Sequence, residues 1–89
     1  MKVSVINPKK VVYEGNALMV VLPGEDGELT MMDFHESALC ALRDGLVRIQ
    51  EDFGGEKRGK RFEVPVISIK IKRGIARILA NELIMMVET

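Results

Sequence analysis

The stretch LPGEDGELTMMDFHESALCALRDG, residues 22–45, decides the fold of this chain. It contains one segment that could be either helix or strand, E-S-A-L-C-A-L-R at 36–43. On propensity alone those residues could make two helical turns. They are short and hemmed in by turn signals, so the segment reads as a strand, and no helix is left in the chain. The same stretch begins at a Pro-Gly pair and carries Glu25, Asp26, Glu28, Asp33 and Glu36. It also holds the single histidine, His35, and the single cysteine, Cys40.

Working outward, the hydrophobic period is two rather than 3.6. Val3 and Val5 alternate with Lys2 and Ser4 until Asn7-Pro8 breaks the run. Residues 11–13 make a second run, ended by Gly15-Asn16, and 17–22 a third, stopped by Pro23-Gly24. Residues 29–32 make a fourth, framed by acids, and 46–50 follow the turn pair Asp44-Gly45. A charged, glycine-bearing loop covers 53–60, and 62–66 resume the apolar pattern. Pro65 inside it suggests an edge or a bulge. Ile67, Ile69 and Ile71 alternate with Ser68, Lys70 and Lys72. Arg73-Gly74 is expected to turn the chain so that 75–80 answers as a hairpin partner. Residues 83–87 are the last apolar run. Many short strands with frequent turns predict an all-β, antiparallel sandwich or barrel.

The length of 89 residues suits one small domain. A chain of this size buries only about 60–65% of its unfolded surface, so its core is thin. With no tryptophan and one tyrosine, that core must rest on Val, Ile, Leu and Met. Thirteen basic and thirteen acidic residues balance, which argues against a general nucleic-acid binder. Residues 1–42 carry three basic against six acidic groups and 43–89 carry ten against seven, a split that reads first as ordinary solvated surface, with a molecule acidic at one end as the alternative. A lone cysteine allows no internal disulfide and fits a reducing compartment. No signal peptide or apolar span is visible, so any membrane association must go through a partner.

Catalytic and cofactor chemistry finds little footing. One His and one Cys cannot close a zinc site, and E-D-G-E lacks the order of a calcium loop. Glu25, Asp26 and Glu28 fall in a wet loop, where carboxylates stay ionised and make poor general acids. Gly24 and Gly27 do not follow the phosphate-loop order. Lys57, Arg58, Lys60 and Arg61 form a basic cluster, flanked by Phe53 and Phe62 but without interleaved aromatics to stack bases. No cofactor is expected. Two classes compete with a partner-binding module. One is a free-standing sandwich that binds a small ligand in an apolar cavity. The other is a small hydrolase using His35 with Ser37 or Cys40, which requires those groups within hydrogen-bond reach.

The central run also resembles the signature of the epsilon subunit of F-type ATP synthases, called delta in mitochondria. Pro23, Gly24, Gly27, Glu28, Leu29, His35, Leu39, Ala41, Leu42, Gly45, Arg48 and Ile49 fall in register with it without a gap. The opening V-S-V-I-N-P-K-K-V-V-Y-E-G and the late G-I-A-R-I-L-A-N resemble the family's first strand pair and a late strand. Thr30 stands where the family usually has Gly, Asp33-Phe34 where it has Pro-Gly, Ser37 and Asp44 where it has Pro, and Pro65-Val66 near its usual Gly-Gly. The resemblance implies a sandwich of about ten short strands and a non-catalytic rotor subunit that couples proton flow to ATP synthesis. Carried over by position, it implies a c-ring contact at Glu28, Leu29 and Thr30. It places Asn7 and His35 toward the gamma subunit. Its expected location is peripheral, on the cytoplasmic or matrix face of the energy-transducing inner membrane. Family members often add two C-terminal helices that can inhibit ATP hydrolysis. This sequence ends at Glu88-Thr89, where they would begin, so a sandwich-only subunit without that brake is expected.

Overall fold

A computed structural model describes residues 1–52 and 66–89. Eight strands are found among them: β1 (Lys2–Ile6), β2 (Val11–Gly24), β3 (Gly27–Met32), β4 (Ala38–Leu42), β5 (Gly45–Glu51), β6 (Val66–Ile71), β7 (Arg73–Leu79) and β8 (Glu82–Glu88). The all-β expectation holds, and the ambiguous segment is strand β4. Its alternation explains why. Ala38 and Cys40 pack against the core and Leu42 is buried, while Leu39 and Ala41 are exposed, a period no helix would produce.

Among the described residues the count is eight against the expected ten or so, and one of the differences has a physical reason. The runs at 11–13 and 17–22 are one continuous strand, because Gly15-Asn16 bends the chain without ending its pairing. The first part of β2 pairs with β1, from Val11 opposite Ile6 to Asn16 opposite Lys2. The later part pairs with β3 on one side and β5 on the other. Its register with β5 slips between Ala17 and Met19, a bulge of the kind that lets one strand serve two sheets. The charged loop, the basic cluster Lys57, Arg58, Lys60 and Arg61, and Pro65 lie outside the described residues.

Two layers follow from this. One is β3-β2-β5-β6, and the other runs β2-β1-β8-β7-β4. Pairing is antiparallel except between β1 and β8, which run parallel. The expected hairpin across Arg73-Gly74 does not form. β6 pairs with β5, whereas β7 pairs with β4 and β8, so the chain changes layers at Lys72. Period-two alternation marks which face a strand buries and is silent about which strand lies beside it.

Between the layers lies a core of aliphatic side chains and methionine. Val3, Val5, Ile78, Leu83 and Met85 come from one layer and Val20, Leu22, Met31, Val47, Ile49 and Ile71 from the other. Each such side chain, fully buried, contributes about 1.5–3 kcal/mol of transfer free energy. Met31 and Met85 pack inside, while Met32 and Met86 point outward.

Candidate functional site

The β2–β3 hairpin carries Glu25, Asp26 and Glu28 at one end of the sandwich. Gly24 pairs with Gly27 across a two-residue turn of Glu25 and Asp26. A Cβ on Gly24 would lie 2.6 Å from the Gly27 carbonyl oxygen and 2.9 Å from Leu29 Cδ1, so only glycine fits. Gly27 has φ 130, again a glycine conformation. The turn is docked by Glu25 N–H to the Ala41 carbonyl and Arg43 N–H to the Pro23 carbonyl.

From this turn β3 presents the three residues expected at the c-ring. Glu28 is exposed, and its carboxylate accepts a 2.5 Å hydrogen bond from Arg48 of β5, reaching across β2. The pair is solvated at both partners, so it orients Glu28 more than it stabilises the fold. Leu29 is half-buried and packs on the core. Thr30 is exposed. These residues therefore form a polar edge with an apolar root.

Asn7 lies at the same end, just past β1. Its Oδ1 accepts from the Lys9 and Lys10 amides, at 2.8 Å each, and its Nδ2 donates to Thr89 Oγ1 at 3.0 Å. It forms one wall of an open groove of about 480 Å3, with Ile6, Pro8, Ile75 and Met86 as apolar lining and Glu25 and Arg73 at its rim. Arg73 is paired with Glu88 at 3.1 Å.

His35 lies at the opposite end of the sandwich, two residues past Asp33, which pairs with the Met1 ammonium ahead of β1. Its N–H donates to the Met32 carbonyl. Its exposed ring places Nδ1 2.7 Å from the Glu36 carbonyl oxygen. A carbonyl only accepts, so Nδ1 carries the hydrogen in that contact and Nε2 is left for a partner. Among the described residues the ring makes no hydrogen bond to Ser37 or Cys40, which leaves no support for a hydrolase. Asn7 and His35 are thus not brought together, but both border the β1-β8-β7-β4 layer. The outer face of that layer exposes Leu39, Ile75, Leu79 and Met86.

Around His35 the structure holds a feature that residue patterns did not reveal. The Met1 ammonium is buried, donating to the Ala17 carbonyl at 3.1 Å and pairing with Asp33 Oδ1 at 2.6 Å. The hydrogen bond from that ammonium holds the Asp33 carboxyl below its ordinary value. Ala80 and Asn81 both have positive φ in the β7–β8 turn, and so does Phe34, at 64. The Phe34 N–H donates to Asn81 Oδ1 at 3.0 Å. In the same part of the sandwich, Tyr13 donates to Glu51 Oε2 at 2.6 Å. Burial and that carboxylate push the Tyr13 phenol up to about 12. Among the described residues no group of His, Cys, Asp and Glu is arranged to hold a metal.

The family model for the ATP synthase delta/epsilon chain β-sandwich domain matches residues 1–89. The chain is 33% identical over 88 residues to a Sulfurimonas denitrificans protein named ATP synthase epsilon chain, covering 99% of this chain and 60% of that one. It is 32% identical over 89 residues to ATP synthase epsilon chain 2 of Ralstonia nicotianae, covering 57% of that protein. The chain thus spans well under two thirds of the length of these relatives. Its fold matches a chain in the central stalk and c-ring structure of the Tetrahymena thermophila mitochondrial ATP synthase, with TM-score 0.72 and 16% identity, covering all of this chain and 63% of that one. A chain of the Euglena gracilis mitochondrial ATP synthase matches with TM-score 0.77 and 10% identity, over 98% of this chain and 49% of that one. At such identities the last two are likenesses of fold. The chain belongs to the ATP synthase delta/epsilon β-sandwich domain family.

Proposed function

We propose that this chain serves as the sandwich domain of a non-catalytic central-stalk subunit in an F-type proton-translocating ATP synthase. It would link the gamma subunit to the c-ring, so that proton-driven rotation reaches a catalytic head elsewhere in the complex. The observation that carries this reading is the family match, which runs through every residue of the chain.

Two separate surfaces would meet the two partners. Glu28, Leu29 and Thr30, with Arg48 bracing the carboxylate, suit a polar loop of the c-ring. Exposed charge of this kind fixes orientation and encounter more than affinity. For gamma, the contact is the outer face of the β1-β8-β7-β4 layer. Asn7 marks one end of it and His35 the other, with Leu39, Ile75 and Met86 exposed between them. An apolar centre with polar ends is how stable protein contacts are built. Among the described residues no helix is long and apolar enough to cross a membrane. The domain would sit peripherally, on the cytoplasmic or matrix face of the inner membrane, held there by its partners.

Co-expression with the cognate gamma subunit, followed by sizing, tests this directly. A stable one-to-one complex is expected. Separate elution would instead favour a free-standing binding module. Among the described residues the groove beside Asn7 suits that role, although Asn7 and Arg73 are already engaged with Thr89 and Glu88.

A further inference from the structure

Phe34 is 89% exposed, far more than any other large apolar side chain among the described residues. Its backbone also sits at φ 64, a region that costs any residue with a Cβ and costs glycine nothing. Two unfavourable choices therefore coincide at one residue, an aromatic ring in water and a strained backbone. Neither is loose. The Phe34 N–H is held by Asn81 Oδ1 at 3.0 Å. Asp33, just before it, is tied to the Met1 ammonium at 2.6 Å. The His35 N–H, just after it, donates to the Met32 carbonyl at 3.2 Å. The ring is thus carried on a loop fastened to the start of β1, the end of β3 and the β7–β8 turn.

The backbone that carries the ring is fixed in this way, so the loop has little conformational freedom left to lose when it meets a partner. Strain held in place by its surroundings is characteristic of contact sites, and aromatic side chains are enriched at interface centres. Met32 and Leu79, at 53% and 51% exposure, supply further apolar surface at the same end. Glu36 is exposed and has no ion pair among the described residues, so a matching surface would carry a cationic or donor group beside an apolar pocket.

We propose that Phe34 is the apolar anchor of the gamma contact, its ring entering a pocket on gamma while His35 and Glu36 meet the pocket's polar rim. This rests on the reading that the domain binds gamma, and it adds Phe34 as an anchor at the His35 end of that contact face.

The test is titration of the purified gamma subunit with the parent chain and with Phe34→Gly and Phe34→Tyr, each paired with a thermal melt. Glycine relieves the backbone, so Phe34→Gly should melt at or above the parent temperature. It should nevertheless bind gamma roughly tenfold more weakly or worse, the scale of losing an interface anchor. Phe34→Tyr keeps the ring and should bind within about threefold of the parent. Undiminished binding by Phe34→Gly would overturn the inference while leaving the gamma reading intact. A fall in melting temperature for Phe34→Gly would also overturn it, by showing that the ring serves the fold. A parent chain that does not bind gamma would remove the reading and the inference together.

Discussion

At the hairpin end of the sandwich, Gly24 and Gly27 close a tight turn and a solvated Arg48–Glu28 pair lies on its surface. At the other end, a buried terminal ammonium, an aspartate and an asparagine hold three non-glycine residues at positive φ. The first end takes its shape from local backbone chemistry, and its charged side chains stay solvated at the surface. The second takes its shape from contacts between residues far apart in sequence, and it stores strain. An end of the first kind tolerates changes of charge but not of glycine. An end of the second kind should respond to pH and gain stability when its strain is relieved.

The hairpin end breaks most readily at Gly24. A valine there must displace Leu29 and the Gly27 carbonyl, and Gly24→Val should cost about 3 kcal/mol or prevent folding, read from the urea midpoint. At the opposite end the Asp33–Met1 pair gives a pH signature. Because the Asp33 carboxyl is held below its ordinary value, its contribution is complete above the unfolded carboxylate value of 3.8. It is lost as pH falls through the lowered folded value. Asp33→Asn should flatten that acid limb in pH-dependent melts.

Tyr13 titrates in the other direction. Its phenol is raised from 10.0 to about 12, so its contribution is complete below pH 10 and is lost as pH climbs toward 12. Tyr13→Phe should abolish that alkaline loss in the same melts. A smaller effect, of opposite sign, is expected at Ala80. Its φ of 53 sits in a two-residue turn between the paired Leu79 and Glu82, where asparagine is preferred. Ala80→Asn should raise stability by about 0.5 kcal/mol, seen as a slightly higher melting temperature.

The contrast between the ends also explains what could be read from residues alone. Gly24, Gly27 and Gly45 announce their turns through backbone chemistry, and the short span of 36–43 between turn signals points to strand β4. Glu28 was legible as an exposed acid, but Arg48, twenty residues on, was not legible as its partner. Pairing across a sheet depends on topology that spacing does not encode. The same limit produced the false hairpin at Arg73-Gly74. It also hid the Met1–Asp33 link and the Asn81–Phe34 hydrogen bond, which join residues 32 and 47 positions apart. Gly15-Asn16 misled differently, because a strand can bend at such a pair and continue into a second layer.

If the two surfaces serve two partners, Glu28 belongs to the c-ring contact alone. Glu28→Lys removes a solvated pair worth under about 1 kcal/mol, so the domain should remain folded. The decisive measurement is capture of detergent-solubilised c-ring and of gamma by the parent and by Glu28→Lys. The variant should keep gamma and lose most of the ring when each is offered separately. Equal capture of the ring by both proteins, or loss of gamma along with the ring, would contradict the two-surface reading.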